Sequence, residues 1–143
     1  EFRNLTLINR TKLLFQDERH IPFFNYKSLG SEHFVRGYNP YPKQNELSLR
    51  ERIRCSQIFM QSIEIQYTVL EKQSYDGIEF GIDNLWFIDF GIGGDTIKEL
   101  KLNKSLIGFG TGFRLYVSGV GTIGIDFGFN PQFKLPQIHL SDS

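Results

Sequence analysis

The stretch GTIGIDFGFN, residues 121–130, alternates strictly between two kinds of side chain. One set is apolar, and the set between is small or polar. The apolar set is Ile123, Ile125, Phe127 and Phe129, and the other is Thr122, Gly124, Asp126 and Gly128. Successive side chains of a β-strand point to opposite faces of its sheet. The period of two therefore predicts a strand with one apolar face and one polar face.

The same alternation recurs along the chain. The alternating stretches are residues 57–69, 79–92 and 108–117, with a weaker one at 133–141 and an expected N-terminal strand at 5–15. Residues 118–121, between the last two strong stretches, are short and glycine-rich, which predicts a hairpin. The chain is thus expected to be all-β, with about five to six antiparallel strands.

The connections are predicted from their turn-forming residues. Residues 30–45 are rich in Gly, Pro, Asn and Tyr, so a long loop begins there. Residues 46–54 fit either one or two helical turns or a polar strand extension. Residues 93–104 read as a polar connection. We assign residues 30–56 to a long loop region and residues 57–141 to the last strands.

The composition argues against several classes of function. The 143 residues carry 16 Lys+Arg and 16 Asp+Glu, and this balance argues against nucleic-acid binding. The 14 Phe and 14 Gly suit β-structure. A single cysteine excludes a disulfide framework and a Cys-based zinc cluster. His20, His33 and His139 show no metal-ligand spacing and are expected at surface or loop positions. We find no catalytic constellation and expect no enzyme, cofactor or metal.

The segment GVGTIG, residues 119–124, matches the dinucleotide-binding pattern G-x-G-x-x-G. That pattern needs a strand before it and a helix opening at it, so that the pyrophosphate meets the helix N-terminus. Here it runs directly into the alternating stretch 121–130. We therefore interpret it as a hairpin turn.

Two architectures fit the alternation. In a transmembrane barrel the apolar face meets lipid and the polar face lines the lumen. In a soluble barrel the apolar face points inward around a core or ligand. The sequence contains no run of 18 apolar residues, so no transmembrane helix is predicted. Three features favour the transmembrane barrel. The apolar faces are rich in Phe and Ile, the opposite faces combine glycines with charged residues, and Tyr and Trp lie toward the strand ends.

Size adds a constraint on this barrel. A single-chain transmembrane barrel needs at least about eight strands. The chain supplies fewer, and it begins at Glu1 rather than Met. We therefore expect a portion of a barrel, or a chain whose edges a partner covers, since open edges cannot face lipid.

Three carboxylates, Glu64, Asp89 and Asp126, fall in mid-strand on the polar face. Phe87 precedes Asp89 by two residues, so their side chains point the same way. Charges in a narrow lumen are unfavourable unless they are paired. Each carboxylate is either a solvated lumen charge or the partner of a cation, and spacing alone leaves both readings open.

Five motifs in order resemble a known family. GSEHFVRGY (30–38) resembles the V-R-G-F/Y motif of the outer-membrane protein assembly superfamily, and residues 87–89, FID, resemble its G/F-x-D motif. SIEIQY (62–67) resembles its glutamate-bearing strand, residues 108–129 its penultimate hairpin, and PQIHLS (136–141) the start of its closing strand. The superfamily includes bacterial barrel-assembly factors, translocation-and-assembly relatives, two-partner secretion transporters and the chloroplast import channel.

The resemblance implies a site. The motif caps a loop that folds back into the barrel, and its arginine, Arg36, is expected to meet Asp89 with Glu64 nearby. Gly37 would allow the backbone to turn, Tyr38 or Phe34 would pack on the lumen wall, and Phe87 would share the lumen face of Asp89. The planar guanidinium suits a two-pronged grip by a carboxylate. The ending LSDS departs from the family because it lacks the terminal aromatic residue.

The resemblance also implies a function. The chain is expected to be the C-terminal part of a barrel protein that inserts or translocates other polypeptides, located in the outer membrane of a Gram-negative bacterium or in an organelle outer envelope. Its expected partners are the lipid bilayer, substrate polypeptides, and the earlier barrel strands with POTRA repeats or accessory subunits. The alternatives are a soluble antiparallel barrel that binds an apolar ligand, and a structural family member that has lost transport.

Overall fold

The computed structural model describes residues 4–16, 27–30, 35–38, 54–131 and 136–142. Three residues named above, His20, His33 and Phe34, lie outside the described residues, as does nearly all of the undecided stretch 46–54. The expectations placed on them stay predictions.

Eight β-strands form in the described residues. They are β1 (Leu5–Leu14), β2 (Lys27–Ser28), β3 (Arg54–Cys55), β4 (Gln57–Tyr75), β5 (Ile78–Gly94), β6 (Leu106–Val117), β7 (Gly121–Phe129) and β8 (Gln137–Asp142). Helical geometry in the same residues is confined to two short 3-10 turns, Ile97–Glu99 and Leu102–Lys104. No helix in this part of the chain has the length and apolar character needed to span a membrane.

Six of the strands form one antiparallel sheet in the order β1-β4-β5-β6-β7-β8. The strands β2 and β3 pair separately. The all-β class and the antiparallel arrangement predicted from the sequence are confirmed. The sheet is open rather than closed into a barrel, with β1 and β8 at its two edges.

The longest strands extend beyond the alternating stretches. β4 continues to Tyr75, and register shifts between Thr68 and Leu70 and between Leu70 and Gln73 interrupt its alternation. A bulge adds a residue on one strand only, so it hides the remainder of a strand from a period-two reading. The predicted polar connection 93–104 is correspondingly shorter, because β5 runs to Gly94.

Tight turns join the long strands. Asp76 and Gly77 have φ of 50° and 81° in the turn between β4 and β5, and Gly119 has φ of 80° in the turn between β6 and β7. The second turn lies within GVGTIG, whose remainder forms the start of β7. The hairpin interpretation is thus confirmed, and no helix follows the glycines.

The two faces of the six-stranded sheet differ in exposure. On the apolar face, Ile63, Trp86 and Phe113 are 44%, 58% and 46% exposed. On the polar face, Glu64 and Asp89 are 1% and 0% exposed. The polar face is therefore the interior of this structure. Among the described residues, the chain segment Val35–Tyr38, named here the RGY segment, lies on this face together with residues 29–30.

An apolar cluster anchors the RGY segment at one end of the polar face. Its members are Leu29, Val35, Tyr38, Cys55, Ile58, Met60 and Leu106. The Val35 amide donates to the Leu29 carbonyl at 2.8 Å. Because apolar side chains from the segment and from β3, β4 and β6 are buried together, hydrophobic burial holds the segment where β4 begins and β6 begins.

Candidate functional site

Arg36 lies buried on the polar face and is gripped by Asp89 of β5. Its Nε donates to Asp89 Oδ2 at 2.8 Å and its Nη2 to Oδ1 at 2.8 Å. The backbone N–H of Arg36 also donates to Oδ2, at 3.0 Å. Three donors of one residue therefore converge on one carboxylate, and two of them form the parallel fork that guanidinium geometry favours.

Two further strands contribute acceptors to Arg36. Nη2 lies 2.6 Å from Glu64 Oε1 and donates to Ser62 Oγ at 3.2 Å, both on β4. Nη1 donates to Asp126 Oδ2 on β7 at 3.1 Å. The remaining approach is covered by Phe87, whose ring centroid lies 3.6 Å from Arg36 Cζ. A cation over a ring face is favourable, more so when water is excluded.

Other arginines share the carboxylates. Glu64 accepts from Arg10 Nη1 of β1 at 2.7 Å, and Asp126 accepts from Arg114 Nη1 and Nη2 of β6 at 2.5 and 3.0 Å. Three arginines thus meet three carboxylates. Burial lowers the pKa of Arg36, but the hydrogen bonds to Asp89 and the carboxylate charges outweigh burial and raise it above its ordinary value. The guanidinium stays charged at every accessible pH.

Glycines make room for the RGY segment on the polar face. A Cβ on Gly108 would overlap the Arg36 carbonyl oxygen, and one on Gly128 would overlap the Gly37 nitrogen. A Cβ on Gly91 would lie 2.5 Å from Val35 Cγ2. These contacts explain why glycine alternates with Phe and Ile. The polar face is kept bare so that backbone can lie directly on it.

Gly37 is the sharpest point of the segment. Its φ is +99°, a region that favours glycine, and a Cβ there would lie 2.5 Å from the Phe129 carbonyl oxygen. Its N–H donates to His139 Nε2 at 3.1 Å, and its carbonyl accepts from Asn130 Nδ2. Next to it, Tyr38 is 1% exposed and donates from its hydroxyl to the Ile107 carbonyl at 3.3 Å.

The structure brings the predicted site residues together. Asp89, Glu64 and Phe87 each contact Arg36 directly, and Gly37 and Tyr38 dock beside it. The contact expected between Arg36 and Asp89 is present, with Glu64 adjacent.

Sequence reasoning assigned no role at the site to four residues that contact the RGY segment. They are Ser62, Asp126, Asn130 and His139. The signal for Asp126 was already visible, because its alternation puts it on the face of Glu64 and Asp89. The expectation that His139 occupies a surface or loop position is wrong. It lies within β8, is 6% exposed, and alternates with Ile138 and Leu140.

The arrangement of this cluster is suited to holding the RGY segment on the sheet. Its carboxylate oxygens face arginine donors, and among the described residues no group of three or more His, Cys, Asp or Glu side chains is arranged to hold a metal ion. Breaking a buried ion pair is unfavourable, because it leaves buried charges without their partners. The cluster can therefore pin the RGY segment against β4, β5 and β7 simultaneously.

Comparison with known proteins gives no match. No protein-family model, no curated protein and no solved structure matches the chain.

Proposed function

We propose that this chain is the C-terminal part of an outer-membrane β-barrel that inserts or translocates other polypeptides. The observation that carries the proposal is the burial of Arg36 against Asp89 and Glu64. This is the contact implied by the resemblance of VRGY, FID and SIEIQY to the assembly superfamily. Three separate motifs, distant in sequence, meet in one cluster.

The apolar face supports the membrane part of the proposal. On β6 the outward side chains run from Ile107 to Val117 and are apolar except for Thr111. At about 3.4 Å per residue and a tilt of about 40°, the ten steps from Ile107 to Val117 span roughly 26 Å, close to the apolar band of an outer-membrane barrel. Neighbouring strands continue the band with Ile65 and Trp86.

The same observation disfavours the soluble alternative. A soluble barrel that binds an apolar ligand turns its apolar face inward. Here the exposed face carries the Ile, Phe and Trp side chains, while the buried face carries the charges. An apolar ligand would meet carboxylates and arginines on the interior side.

The proposal also names partners. The apolar face contacts the lipid bilayer, and the edges β1 and β8 pair with strands that the described residues do not provide, since an unpaired edge is not tolerated in lipid. Substrate polypeptides are handled without bond chemistry. The outer membrane of a Gram-negative bacterium or an organelle outer envelope is the proposed location, with POTRA repeats or accessory subunits completing the machine.

Extraction tests the membrane part. The intact protein should remain in the membrane fraction in salt and carbonate and leave it only in detergent. On a gel it should migrate differently before and after boiling. Release into buffer without detergent, with heat-independent mobility, would replace the proposal by the soluble-binder reading.

Reconstitution tests the activity. The intact protein in liposomes should accelerate folding of an added unfolded β-barrel polypeptide above the rate in empty liposomes. Arg36→Ala should reduce the acceleration, while Lys72→Ala, which removes a cation that stacks on Tyr116 outside the cluster, should not. A membrane-inserted protein that neither accelerates folding nor translocates polypeptide would instead be the transport-inactive structural member.

A further inference from the structure

A side chain of the edge strand β8 contacts the RGY segment. His139 of β8 accepts a hydrogen bond at Nε2 from the Gly37 N–H, at 3.1 Å. The imidazole is 6% exposed, so water competes little for this bond. The contact bypasses β7 and links the end of the sheet to the residue that follows Arg36.

Within the described residues, β8 has a neighbouring strand on one side. It pairs with β7 at six positions, from Ile123 to Gly128, and it lies at the edge of the sheet. By comparison β5, in the middle of the sheet, is paired on both sides. The hydrogen bond from Gly37 adds to this pairing a contact between β8 and a segment that lies outside the six-stranded sheet.

The bond exists in only one protonation state of His139. A ring nitrogen accepts a hydrogen bond only while it carries no proton, and in the imidazolium both ring nitrogens are donors. A protonated Nε2 would face the Gly37 N–H donor to donor. Histidine is the side chain whose charge changes between about pH 5 and pH 8.

Charged groups near His139 lie on β7, on the RGY segment and on β6. On β7, Asp126 stands directly opposite His139 in register and would attract the imidazolium. On the RGY segment, Arg36 adjoins the bonded residue and would repel it. On β6, Arg114 bonds to Asp126 and competes for that carboxylate. The charged ring would therefore meet repulsion from Arg36 and attraction from Asp126.

We propose that His139 is a positioning residue that couples β8 to the RGY segment, and that its protonation uncouples the two. With the ring neutral, the edge strand and the segment are held together; once the ring is protonated, β8 loses this hydrogen bond while the Arg36–Asp89 pair stays intact. The inference depends on the bond to Gly37 and on the position of β8, and it holds whether or not the protein handles polypeptides.

Hydrogen exchange in the intact protein tests the coupling. After correction for the intrinsic pH dependence of exchange, the β8 amides should lose about tenfold protection between pH 7.5 and pH 5, as expected for one hydrogen bond. The β5 amides should not change. His139→Gln retains an acceptor that does not titrate, so its β8 protection should change less than about twofold. An equal loss in wild type and His139→Gln, or no loss in wild type, would overturn the proposal.

A measurement on the wild type alone covers the case in which the variant does not fold. Nitrogen-15 labelling of histidine reports which ring nitrogen carries the proton. At pH 7.5 the His139 signal should show an unprotonated Nε2 and a protonated Nδ1. A protonated Nε2 at that pH would exclude the bond to Gly37 and with it the coupling.

Discussion

The two faces of the sheet have opposite relations to solvent. Side chains one residue apart on β4, Ile63 and Glu64, are 44% and 1% exposed, and the apolar one is the exposed one. An antiparallel sheet of a soluble protein ordinarily buries its apolar face and solvates the other. Alternation therefore defines the two faces of a sheet but does not identify which one is interior. In this protein the interior face is the one on which the RGY segment lies, not the more hydrophobic one.

The largest loss of stability is expected from a substitution on the polar face. Asp89→Ala should lower the free energy of unfolding by about 3–5 kcal/mol, because it leaves the buried Arg36 without its main partner. The measurement is urea unfolding of the intact protein in detergent micelles. Asp83→Ala is the matched control: it removes a half-buried carboxylate of the same strand and face that bonds to Gln66, and should change the value by about 1 kcal/mol.

A loss no larger for Asp89 than for Asp83 would contradict the role of the arginine cluster. A charge swap adds detail. Arg36→Glu with Asp89→Arg should restore only part of the stability, because the Arg36 N–H also bonds to Asp89 and the new glutamate would face Glu64 and Asp126.

The apolar face supplies the second test. Ile65→Arg places a charge near the middle of the proposed lipid-facing band and should destabilise the protein in a bilayer by about 2–4 kcal/mol. Val120→Arg is the control, since Val120 is 70% exposed but lies in the turn between β6 and β7, beyond the band. Unfolding in lipid vesicles measures both. Equal and small effects would show that the apolar face meets water.

The third test adds a methyl group to the polar face. In Gly108→Ala the Cβ would overlap the Arg36 carbonyl oxygen, so the RGY segment must shift, at about 1–3 kcal/mol. In Gly81→Ala, on the same face, the nearest atom is Lys72 Cγ at 3.2 Å, the middle of a flexible side chain. Thermal unfolding should separate the two variants. Equal shifts would mean that the segment does not rest on β6.

The smallest expected effect is a change in thiol labelling. Burial raises the pKa of Cys55 to about 12, with the charge of Asp95 adding to the rise, so its reactive thiolate is scarce at pH 7.5. A maleimide should label the folded wild type very slowly. Gly108→Ala should accelerate labelling, because Cys55 packs in the cluster with Val35 and Tyr38. An unchanged labelling rate would show that the packing of the apolar cluster around Cys55 does not depend on the position of the RGY segment.

The sequence predicted the strands well because their period is local. The alternation of residues 121–130 and 108–117 defines β7 and β6 almost to the residue, and the glycines at 119 and 121 mark the turn between them. The end of β4 escaped prediction, since the register shifts after Thr68 disturb the period. Bulges depend on the partner strand, which a local pattern does not contain.

The site was predictable only in part. Arg36, Asp89 and Glu64 followed from the motif order, yet no spacing rule connects Arg36 with Asp126, 90 residues later. His139 was misjudged because a lone histidine has no sequence partner. Its role arises from the register of β8 against β7 and from the path of the RGY segment. Such contacts between distant segments are set by tertiary packing.

The most direct test of the account concerns Trp86, 58% exposed on the apolar face. Its fluorescence, taken as the difference between the wild-type protein and Trp86→Phe, can be measured in bilayers whose acyl chains carry bromine. If the apolar face meets lipid while the polar face holds Arg36, brominated chains should quench this signal strongly and aqueous acrylamide should quench it weakly. Strong quenching by acrylamide, with none by brominated lipid, would place Trp86 in water and contradict the account.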